Sequence, residues 1–374
     1  MTAPLAGIKV VELARILAGP WAGQVLADLG AEVIKIESPE GDDTRRWGPP
    51  FVDNADGTRD AAYFHATNRG KTAQTVDLST PGGQAHVRAL VADADVVIEN
   101  FKVGGLTKYG LDHASLSALN PRLVTCSITG FGQTGPYAPR AGYDFIVQGM
   151  SGIMDVTGAP DGPPMKIGVA YADILTGLYA VIGIQAALRQ RETTGRGQHV
   201  DMALFDVMVG TLANQAMNAL VSGENPTRMG NAHPNLVPYE VFPTADGYLI
   251  LAVGNDAQYR KLCTLLDLPD LQRHTTNTDR VTARTAISTA IGAATKTWPR
   301  DTLLDQLHTL HIPAGPINTV SEALADPQIT ARGMVLSLPR EGAPPVPGIR
   351  TPIRFSDATL ACATASPCAE KPFT

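Results

Sequence analysis

The sequence is short of charge, aromatic residues and cysteine. Only 18% of its 374 residues are charged and 6% are aromatic, whereas glycine and proline are frequent, at 36 and 28 residues. The formal net charge of −6 provides no basic surface for nucleic acid or for an anionic membrane, so both kinds of partner are excluded. The composition is typical of a compact soluble protein with many tight turns.

Neither a secretory signal nor a membrane-spanning segment is evident. Residues 1–10 contain no basic stretch followed by the apolar run that a signal peptide needs. The most apolar run, Ile174–Leu188, has 15 residues, whereas a helix that crosses a bilayer needs about 20. We therefore expect a cytoplasmic protein.

The cysteines and histidines form no metal-binding pattern. No CxxC pair occurs, and no cysteine or histidine cluster has the spacing of a zinc site. His308 and His311 lie three residues apart, but Ile312-Pro313 ends that helical stretch, which favours a surface or capping role. We expect a reduced, metal-free protein. Its cysteines are Cys126, Cys263, Cys362 and Cys368.

The first 130 residues alternate apolar runs with helical patterns. Pro20 suits the first position of a helix that ends at Asp28, before Gly30, and Pro81 begins a helix that reaches about Ala92. Because strand–helix–strand repetition places parallel strands side by side, the sequence predicts an α/β fold with a parallel sheet. The predicted strands are residues 9–13, 31–37, 73–78, 96–101 and 123–128.

The second half of the chain begins with its longest helical pattern, residues 173–192. Arg189 and Arg191 lie in its last turns and Gly195 follows, as expected of a helix C-terminus. A strand over 199–204 and a helix to about residue 222 come next, followed by a loop over 223–238. A smaller unit then contains a hairpin, 239–243 and 248–253 around the turn 244–247, and helices near 257–268, 281–296 and 300–309.

A segment near the N-terminus imitates a dinucleotide-binding fingerprint. Gly19 and Gly23 flank a turn between a strand and a helix, and Glu37 ends the next strand near the distance expected of a ribose-binding acid. The GxGxxG pattern lacks its middle glycine, however, and Pro20 removes an amide from the helix start where phosphate would bind. We interpret the segment as structural and expect no NAD site.

Asp173 allows two interpretations. It follows residues 165–172 and precedes the long apolar helix, where an N-cap carboxylate stabilises exposed amides by about 1 kcal/mol. The same place suits a nucleophile, because the first-turn amides and the helix dipole would keep the carboxylate ionised at neutral pH. The residues alone do not decide between these roles.

Several longer stretches carry a recognisable pattern. In chain order they are VVELARILAGPWAGQVLADLGAEVIKIESPEGDDTRRWGPP, NRGKTAQTVDL, ADVVIENFKVGGLTKYGL, NPRLVTCSITGFGQTGPY, AGYDFIVQGMSGIMDVTG, GVAYADILTGLYA and TGRGQHVDMALFD, followed by GNAHPN, IPAGPIN and DPQITARGM. Together they cover essentially residues 1–355 and resemble the family III coenzyme A transferases, which include carnitine and formyl-CoA transferases. Seven or more such stretches in one order make chance an implausible explanation.

This resemblance implies an architecture. It predicts an α/β, Rossmann-like large domain built from both chain ends, a smaller α+β domain, and a homodimer whose two protomers are threaded through each other as interlocked rings. Carried over to this chain, residues 1–215 and 325–374 form the large domain, and residues 216–324 form the small domain with its linkers.

The resemblance also implies the chemistry. The family's catalytic residue is an aspartate, and the matching position is Asp173. Its carboxylate would attack an acyl-CoA thioester to give an acyl-aspartyl anhydride and then an aspartyl-CoA thioester, from which an incoming acid takes the CoA. We expect succinyl-CoA as donor and a small carboxylic or dicarboxylic acid as acceptor. Coenzyme A is thus a substrate, and neither a permanently bound cofactor nor a metal is expected.

Contacts to the substrates follow from the same resemblance. Lys108 suits a phosphate as a point charge, although it would otherwise be an exposed loop charge, and Arg140 is a second candidate cation. Arg15, Arg46 and His233 are candidates for a distal substrate carboxylate, although each could equally serve structure. The expected coenzyme A contacts are Leu17, Ala18, Val76, Asp77, Leu78, Ser79, Asn100, Phe101, Lys108, Arg140, Tyr143 and Asp144.

Three departures separate this chain from other members of the resembled group. The racemase branch has a histidine at the position of Tyr143, and a phenol, which ordinarily ionises near about pH 10, is a poor proton shuttle at neutral pH. The oxalate branch has glutamine at the position of Leu17. The tail ATASPCAEKPFT is also atypical. A transferase is therefore favoured over a 2-methylacyl-CoA racemase, and a non-catalytic CoA-binding protein in which Asp173 only caps its helix is the third alternative.

Overall fold

A computed structural model describes residues 2–369, so the last five residues of the atypical tail lie outside the described part of the chain. The strands are β1 (Lys9–Glu12), β2 (Glu32–Glu37), β3 (Phe51–Asp53), β4 (Arg59–Ala61), β5 (Lys71–Thr75), β6 (Val96–Glu99), β7 (Val124–Thr129), β8 (His199–Ala203), β9 (Tyr239–Pro243), β10 (Tyr248–Ala252), β11 (Ala314–Pro316), β12 (Val335–Arg340) and β13 (Ala343–Ile349).

The α-helices alternate with these strands through the first 200 residues and then dominate. They are α1 (Ala18–Asp28), α2 (Ala62–His65), α3 (Pro81–Ala92), α4 (His113–Leu119), α5 (Asp144–Met150), α6 (Tyr171–Thr194), α7 (Leu204–Gly210), α8 (Ala213–Ser222), α9 (Asp256–Leu265), α10 (Asn277–Thr282), α11 (Arg284–Thr295), α12 (Arg300–Thr309), α13 (Val320–Ala325) and α14 (Pro327–Ala331).

The described chain divides into two compact units. The larger unit contains residues 2–153, 166–224 and 327–369, and the smaller unit contains residues 154–165 and 225–326. The sequence predicted boundaries after residues 215 and 324, which are nine and two residues before those of the structure, after residues 224 and 326. Residues 154–165 belong to the smaller unit although nothing in the sequence marks them as separate from their neighbours.

The larger unit is built on a six-stranded parallel sheet with the strand order β5-β2-β1-β6-β7-β8. The sheet is buried on both faces, as parallel sheets are. Val10 and Ile98 belong to a core on one face, and Val11 and Val97 belong to a core on the other. The predicted α/β fold with a large parallel sheet is confirmed.

Close packing of two helices covers one face of this sheet. Helix α1 lies against α6, and a Cβ atom added at Gly177 would come within 2.7 Å of the Ala18 carbonyl oxygen. A glycine is therefore required where the two backbones approach. The predicted C-terminus of α6 is confirmed, because Gly195 has a φ of +72° and its amide donates to the Arg191 carbonyl at 2.9 Å.

Several boundaries predicted from the sequence were wrong. Helix α1 begins at Ala18, so that Pro20 occupies the third helical position rather than the first. That position tolerates proline because its N–H would have no partner within the helix. The predicted helix up to residue 222 is two helices, α7 and α8, separated where Ala213 has a φ of +48°, and residues 281–296 likewise contain parts of α10 and α11. Strand β5 begins two residues earlier than predicted, and the β12–β13 hairpin was not predicted.

The smaller unit contains an antiparallel three-stranded sheet, β11-β10-β9, covered by helices. The hairpin predicted around residues 244–247 is confirmed, and the Thr244 amide donates to the Gly247 carbonyl at 2.8 Å. Phe242, Leu249 and Leu251 anchor its core beneath residues of α9, α11 and α12.

Helix α6 is long and apolar enough, by length and composition, to cross a membrane. It is longer than the 15-residue apolar run because its polar ends are helical too. Its buried residues pack against α1, β7 and β8, and Arg191 near its end is buried in an ion pair with Asp95 at 2.8 Å. These contacts are those of a core helix.

Candidate active site

A cavity of about 470 Å³ lies where the strand order of the large sheet reverses. The chain leaves β1 towards one edge of the sheet and leaves β6 towards the other, which opens a crevice beyond the carboxyl ends of these neighbouring strands. Ligands of open α/β sheets bind at this kind of point. The lining residues come from the loops after β1, β6 and β7 and from the starts of α1, α5 and α6.

Asp173 is a half-buried carboxylate in the wall of this cavity. It is the third residue of α6, and the residue at the N-cap position is Ala170, which makes no side-chain capping bond. The interpretation of Asp173 as the N-cap is therefore wrong. Burial, reinforced by the nearby charge of Asp144, raises the pKa of Asp173 to about 7, so the expectation that the helix start keeps it fully ionised at neutral pH is also wrong.

Asp144 supplies the cap that Asp173 does not. Its Oδ1 accepts hydrogen bonds from the amides of Ala172, at 2.8 Å, and of Asp173, at 3.4 Å, although it lies on a different helix. Gln148, one turn along α5, donates to the other oxygen of Asp144 at 2.8 Å. The first-turn amides of α6 are thus occupied by Asp144, and the carboxylate of Asp173 is free to face the cavity.

The loop after β7 and the loop before α5 are in direct backbone contact, and this contact brings Asp144 to the start of α6. A Cβ atom added at Gly130 would come within 2.4 Å of the Gly142 Cα atom, and the reverse approach is equally close, at 2.5 Å. Gly130 follows β7 and Gly142 precedes α5. No larger residue fits at either position without separating the loops, so these two glycines set the distance between the sheet and Asp144.

Four cationic side chains line the same cavity, which therefore suits an anionic ligand. Lys102 and Lys108 come from the loop after β6, and the Lys108 ammonium lies 4.6 Å from the centre of the Tyr109 ring. Arg140 lies over the Tyr137 ring at 4.4 Å. Arg15 is held by Asp43 through a 2.8 Å ion pair. Ligand phosphates or carboxylates would meet these groups at the cavity wall.

The comparisons with known proteins agree with this chemistry. The sequence model of CoA-transferase family III matches residues 5–371. The chain belongs to this family. The succinate–glutarate CoA-transferase of Agrobacterium fabrum is 59% identical over 369 residues, covering 97% of this chain and 92% of that protein. The succinyl-CoA:glutarate CoA-transferase of Mus musculus is 40% identical over 351 residues, covering 92% and 79%.

Solved structures of the family share the fold. The crystal structure of a CaiB/BaiF family protein from Brucella suis matches with a TM-score of 0.88 and 62% sequence identity, covering 98% of this chain and 97% of that chain. The predicted membership of CoA-transferase family III is confirmed.

In this family III chain, most of the residues predicted for the site line one cavity. Asp173 is joined there by the predicted contacts after β1, after β6 and before α5. These residues are Arg15, Leu17, Ala18, Asn100, Phe101, Lys108, Arg140, Tyr143 and Asp144.

Other predicted residues lie elsewhere. Val76 is buried in the core, and Asp77 accepts a hydrogen bond from the amide of Ser79; together with Leu78 they lie outside the cavity lining. Arg46 also lies outside it and binds the Glu40 carbonyl. His233 belongs to the smaller unit, where its ring contacts Tyr239. Roles for these residues stay predictions.

Glu37, which imitates the ribose-binding acid of a dinucleotide site, has a different partner. Both of its carboxylate oxygens accept from the Arg45 guanidinium, at 2.6 and 2.8 Å. This buried, bidentate pair supports the structural interpretation of the segment.

Lys102, Ile16 and Tyr63 are among the residues at or near the site that sequence reasoning missed. Lys102 and Ile16 line the cavity beside predicted residues, and proximity in the sequence could have suggested both. Tyr63 comes from a distant segment. Burial, followed by the charges of Asp173 and Asp144, raises its pKa to about 12, so it remains a neutral phenol in the electrostatic field of the candidate nucleophile. No local pattern marks Tyr63.

Proposed function

We propose that this enzyme transfers coenzyme A from succinyl-CoA to a short dicarboxylic acid, with glutarate as the first acceptor to test, and that Asp173 is the nucleophile. The observation that carries the proposal is the half-buried Asp173 carboxylate in a cation-lined cavity at the reversal point of the sheet. The names of the two curated relatives supply the donor and the acceptor.

The reaction proceeds through acyl exchange at the Asp173 carboxylate. Asp173 attacks the succinyl thioester, which forms a succinyl-aspartyl anhydride and expels CoA thiolate. The thiolate attacks the aspartyl carbonyl, releases succinate and leaves an aspartyl-CoA thioester. Glutarate then attacks this thioester to form a second anhydride, and the expelled thiolate takes the glutaryl group and frees Asp173. Each step breaks one acyl bond and forms another.

The environment of Asp173 suits both halves of this cycle. Partial burial limits the access of water, which would hydrolyse the anhydrides. Burial also makes the carboxylate more basic, and therefore a stronger nucleophile once it has lost its proton. Asp144 fixes the first turn of α6, on which Asp173 lies. Lys102, Lys108 and Arg140 line the cavity, and in this proposal their positive charges bind the phosphates of CoA.

The test is a transfer assay in deuterated buffer. The protein is incubated with succinyl-CoA and a panel of acids that includes glutarate, and the CoA esters are identified by mass spectrometry. New acyl-CoA species are expected, and Asp173→Asn should reduce their formation by at least about a thousandfold, as loss of a covalent nucleophile does. Hydroxylamine should trap the acylated Asp173 in the wild-type protein.

Two other results would contradict the proposal. Deuterium at the 2-position of an acyl-CoA without any exchange of acids would indicate the racemase instead. CoA binding with neither transfer nor trapping of Asp173, over several donors, would indicate a non-catalytic binding protein. Asp305→Asn, which removes an exposed carboxylate from the smaller unit, serves as the matched control and should retain full activity.

We also propose that the enzyme is a cytoplasmic homodimer with the two units acting as its domains. Exposed apolar side chains of the larger unit support the dimer, because monomeric proteins rarely expose large apolar patches. Helix α8 has no buried residue. The exposed large apolar residues of α5 to α8 are Phe145, Ile146, Met150, Tyr171, Leu178, Tyr179, Ile182, Val209, Met217, Leu220 and Val221.

A further inference from the structure

The loop between β1 and α1 forms one wall of the active-site cavity in a strained conformation. Arg15, Ile16 and Leu17 all line the cavity that contains Asp173. Ile16 has a φ of +73°, a left-handed conformation that β-branched residues strongly disfavour. Such a residue costs on the order of 1–3 kcal/mol and persists only where its surroundings enforce it.

Asp42 enforces the conformation of Ile16. Its carboxylate is buried and accepts from the Ile16 amide at 3.3 and 3.4 Å. The same carboxylate accepts from the amide and hydroxyl of Thr44, at 2.9 and 2.7 Å, and from the Lys35 ammonium at 2.9 Å. Four donors therefore converge on Asp42, and only an ionised carboxylate has enough acceptor sites for all of them.

Lys35 connects Asp42 to Ala14, the residue that precedes Arg15, Ile16 and Leu17. Its ammonium is completely buried and binds three acceptors: the Ala14 carbonyl at 2.8 Å, Asp42 at 2.9 Å and Glu12 at 3.2 Å. All three of its N–H groups are thus used. Because a buried ion pair gains most of its value from such complete satisfaction, the Lys35–Asp42 pair is a rigid support.

A second buried lysine holds the far end of the loop. The Lys71 ammonium donates to the Pro20 carbonyl at 2.8 Å and to Glu12 at 3.1 Å. The Asn100 side chain binds both the amide and the carbonyl of Arg15, at 2.9 and 2.7 Å. The loop from Ala14 to Pro20 is therefore fixed by side chains at five main-chain atoms.

We propose that Asp42, supported by Lys35, is a positioning residue that holds Ile16 left-handed and thereby fixes the loop of residues 14–18 beside Asp173. Its role in turnover rests on the proposed function, because the loop matters for rate only if Asp173 is the reacting group. A displacement of reacting groups by about 1 Å can cost about a hundredfold in rate. Asp42 itself does not line the cavity.

The test is Asp42→Asn. The amide keeps the shape of the side chain but has a single acceptor oxygen, so it cannot serve Ile16, Thr44 and Lys35 together. We expect the kcat of transfer to fall about 10- to 100-fold, with a smaller change in the KM for succinyl-CoA. Hydrogen exchange of the amides of residues 15–18 should become at least about tenfold faster, because local opening then costs less.

The matched control is Asp28→Asn, which breaks the buried Asp28–Arg69 ion pair away from the loop, where the Nη2–Oδ2 distance is 2.6 Å. It should lower the unfolding temperature, yet leave kcat and the exchange of residues 15–18 close to wild type. If Asp42→Asn affects these two quantities no more than the control does, Asp42 is merely structural and the inference is wrong.

Substitution of Ile16 by glycine should restore part of the kcat that Asp42→Asn loses. Glycine adopts a φ of about +73° without steric cost, so Ile16→Gly combined with Asp42→Asn should recover at least several-fold of the lost kcat. Absence of rescue would contradict the role assigned to Ile16. If Asp42→Asn does not fold, the milder Thr44→Val, which removes one hydrogen bond to Asp42, should move kcat and exchange in the same direction.

Failure of this inference is distinguishable from failure of the proposed function. Hydrogen exchange needs no substrate and reports on the loop alone. A wild-type protein that transfers no CoA refutes the proposed function whatever the loop does. The wild type can be active while the Asp42→Asn variant has the same activity and the same protection of its loop from hydrogen exchange. That result refutes only the role of Asp42.

Discussion

At the residue scale, the carboxylates of Asp144 and Asp173 lie at the start of α6 in different environments. Asp144 takes the first-turn amides of α6, which would otherwise stabilise the charge of Asp173. Asp173 is left with partial burial and with the repulsion of Asp144, and both favour its neutral form. The same residue type at neighbouring places therefore has two different environments: Asp144 is structural, and Asp173 is the nucleophile that we propose.

The pH dependence of activity follows from this arrangement. Because the proposed mechanism requires Asp173 to be ionised and its pKa is raised to about 7, kcat/KM for succinyl-CoA should rise with pH, reach half of its plateau near pH 7 and level off above it. Asp144→Asn removes the neighbouring charge, so the pKa of Asp173 falls and the midpoint moves to lower pH.

A pH–rate profile of the free enzyme checks this expectation. Asp305→Asn, a change of an exposed carboxylate in the smaller unit, should leave the midpoint where it is in the wild type. A wild-type midpoint near the ordinary aspartate value, about pH 4, would contradict the assigned environment of Asp173.

At the element scale, glycines determine how closely α1 approaches its neighbours. Gly177 admits α1 against α6, and Gly23 admits α1 over the buried charges beneath it. A Cβ atom at Gly23 would come within 1.8 Å of Glu12 Oε2 and within 3.2 Å of Lys71 Nζ. Helix α1 can therefore pack against the buried Glu12–Lys71 ion pair only because its inner surface has no side chain at position 23.

Gly23→Ala should accordingly be destabilising despite the better helix propensity of alanine. The Glu12 carboxylate cannot move without losing a lysine partner, so we expect a loss of about 1–3 kcal/mol or more in the free energy of unfolding. Gly82→Ala, in α3, meets no atom within 4 Å and should instead be stabilising by about 0.5–1 kcal/mol. Urea denaturation of both variants measures the difference, and equal stabilities would refute the steric argument.

At the scale of the whole molecule, the described residues of the larger unit leave apolar helix surface exposed. Leu220 and Val221, on α8, are 78% and 80% exposed, and Ile182 on α6 is 62% exposed. In the proposed homodimer, a second copy of the chain covers this surface.

Light scattering tests the proposed dimer. The wild type should elute at twice the chain mass of 39.5 kDa, and the double change Leu220→Asp with Val221→Asp should shift the population towards the single-chain mass. Leu119→Asp changes an exposed leucine of α4 and serves as the control, for which no shift is expected. A wild type that elutes as a monomer at micromolar concentration would overturn the proposal.

The sequence by itself determined the local elements and the family. Period, capping and turn residues locate the parallel strands, the start of α3 at Pro81 and the hairpin at residues 244–247, because these signals act over a few residues. The break between α7 and α8 and the β12–β13 hairpin were not predicted, because alanine at position 213 gives no turn signal and the prolines of β13 are unusual in a strand. The family resemblance, which rests on sequence motifs, also identifies Asp173 as the candidate nucleophile.

Only the tertiary structure decided how Asp173 is surrounded. Asp144 lies 29 residues before it and Asp42 is more distant still, yet Asp144 occupies the amides of its helix and Asp42 accepts from the amide of Ile16, which lines the same cavity. The pKa of a carboxylate depends on burial and on charges within a few ångströms. Those distances are set by the order of strands in the sheet and by the close approach of glycines between loops, which no local pattern encodes.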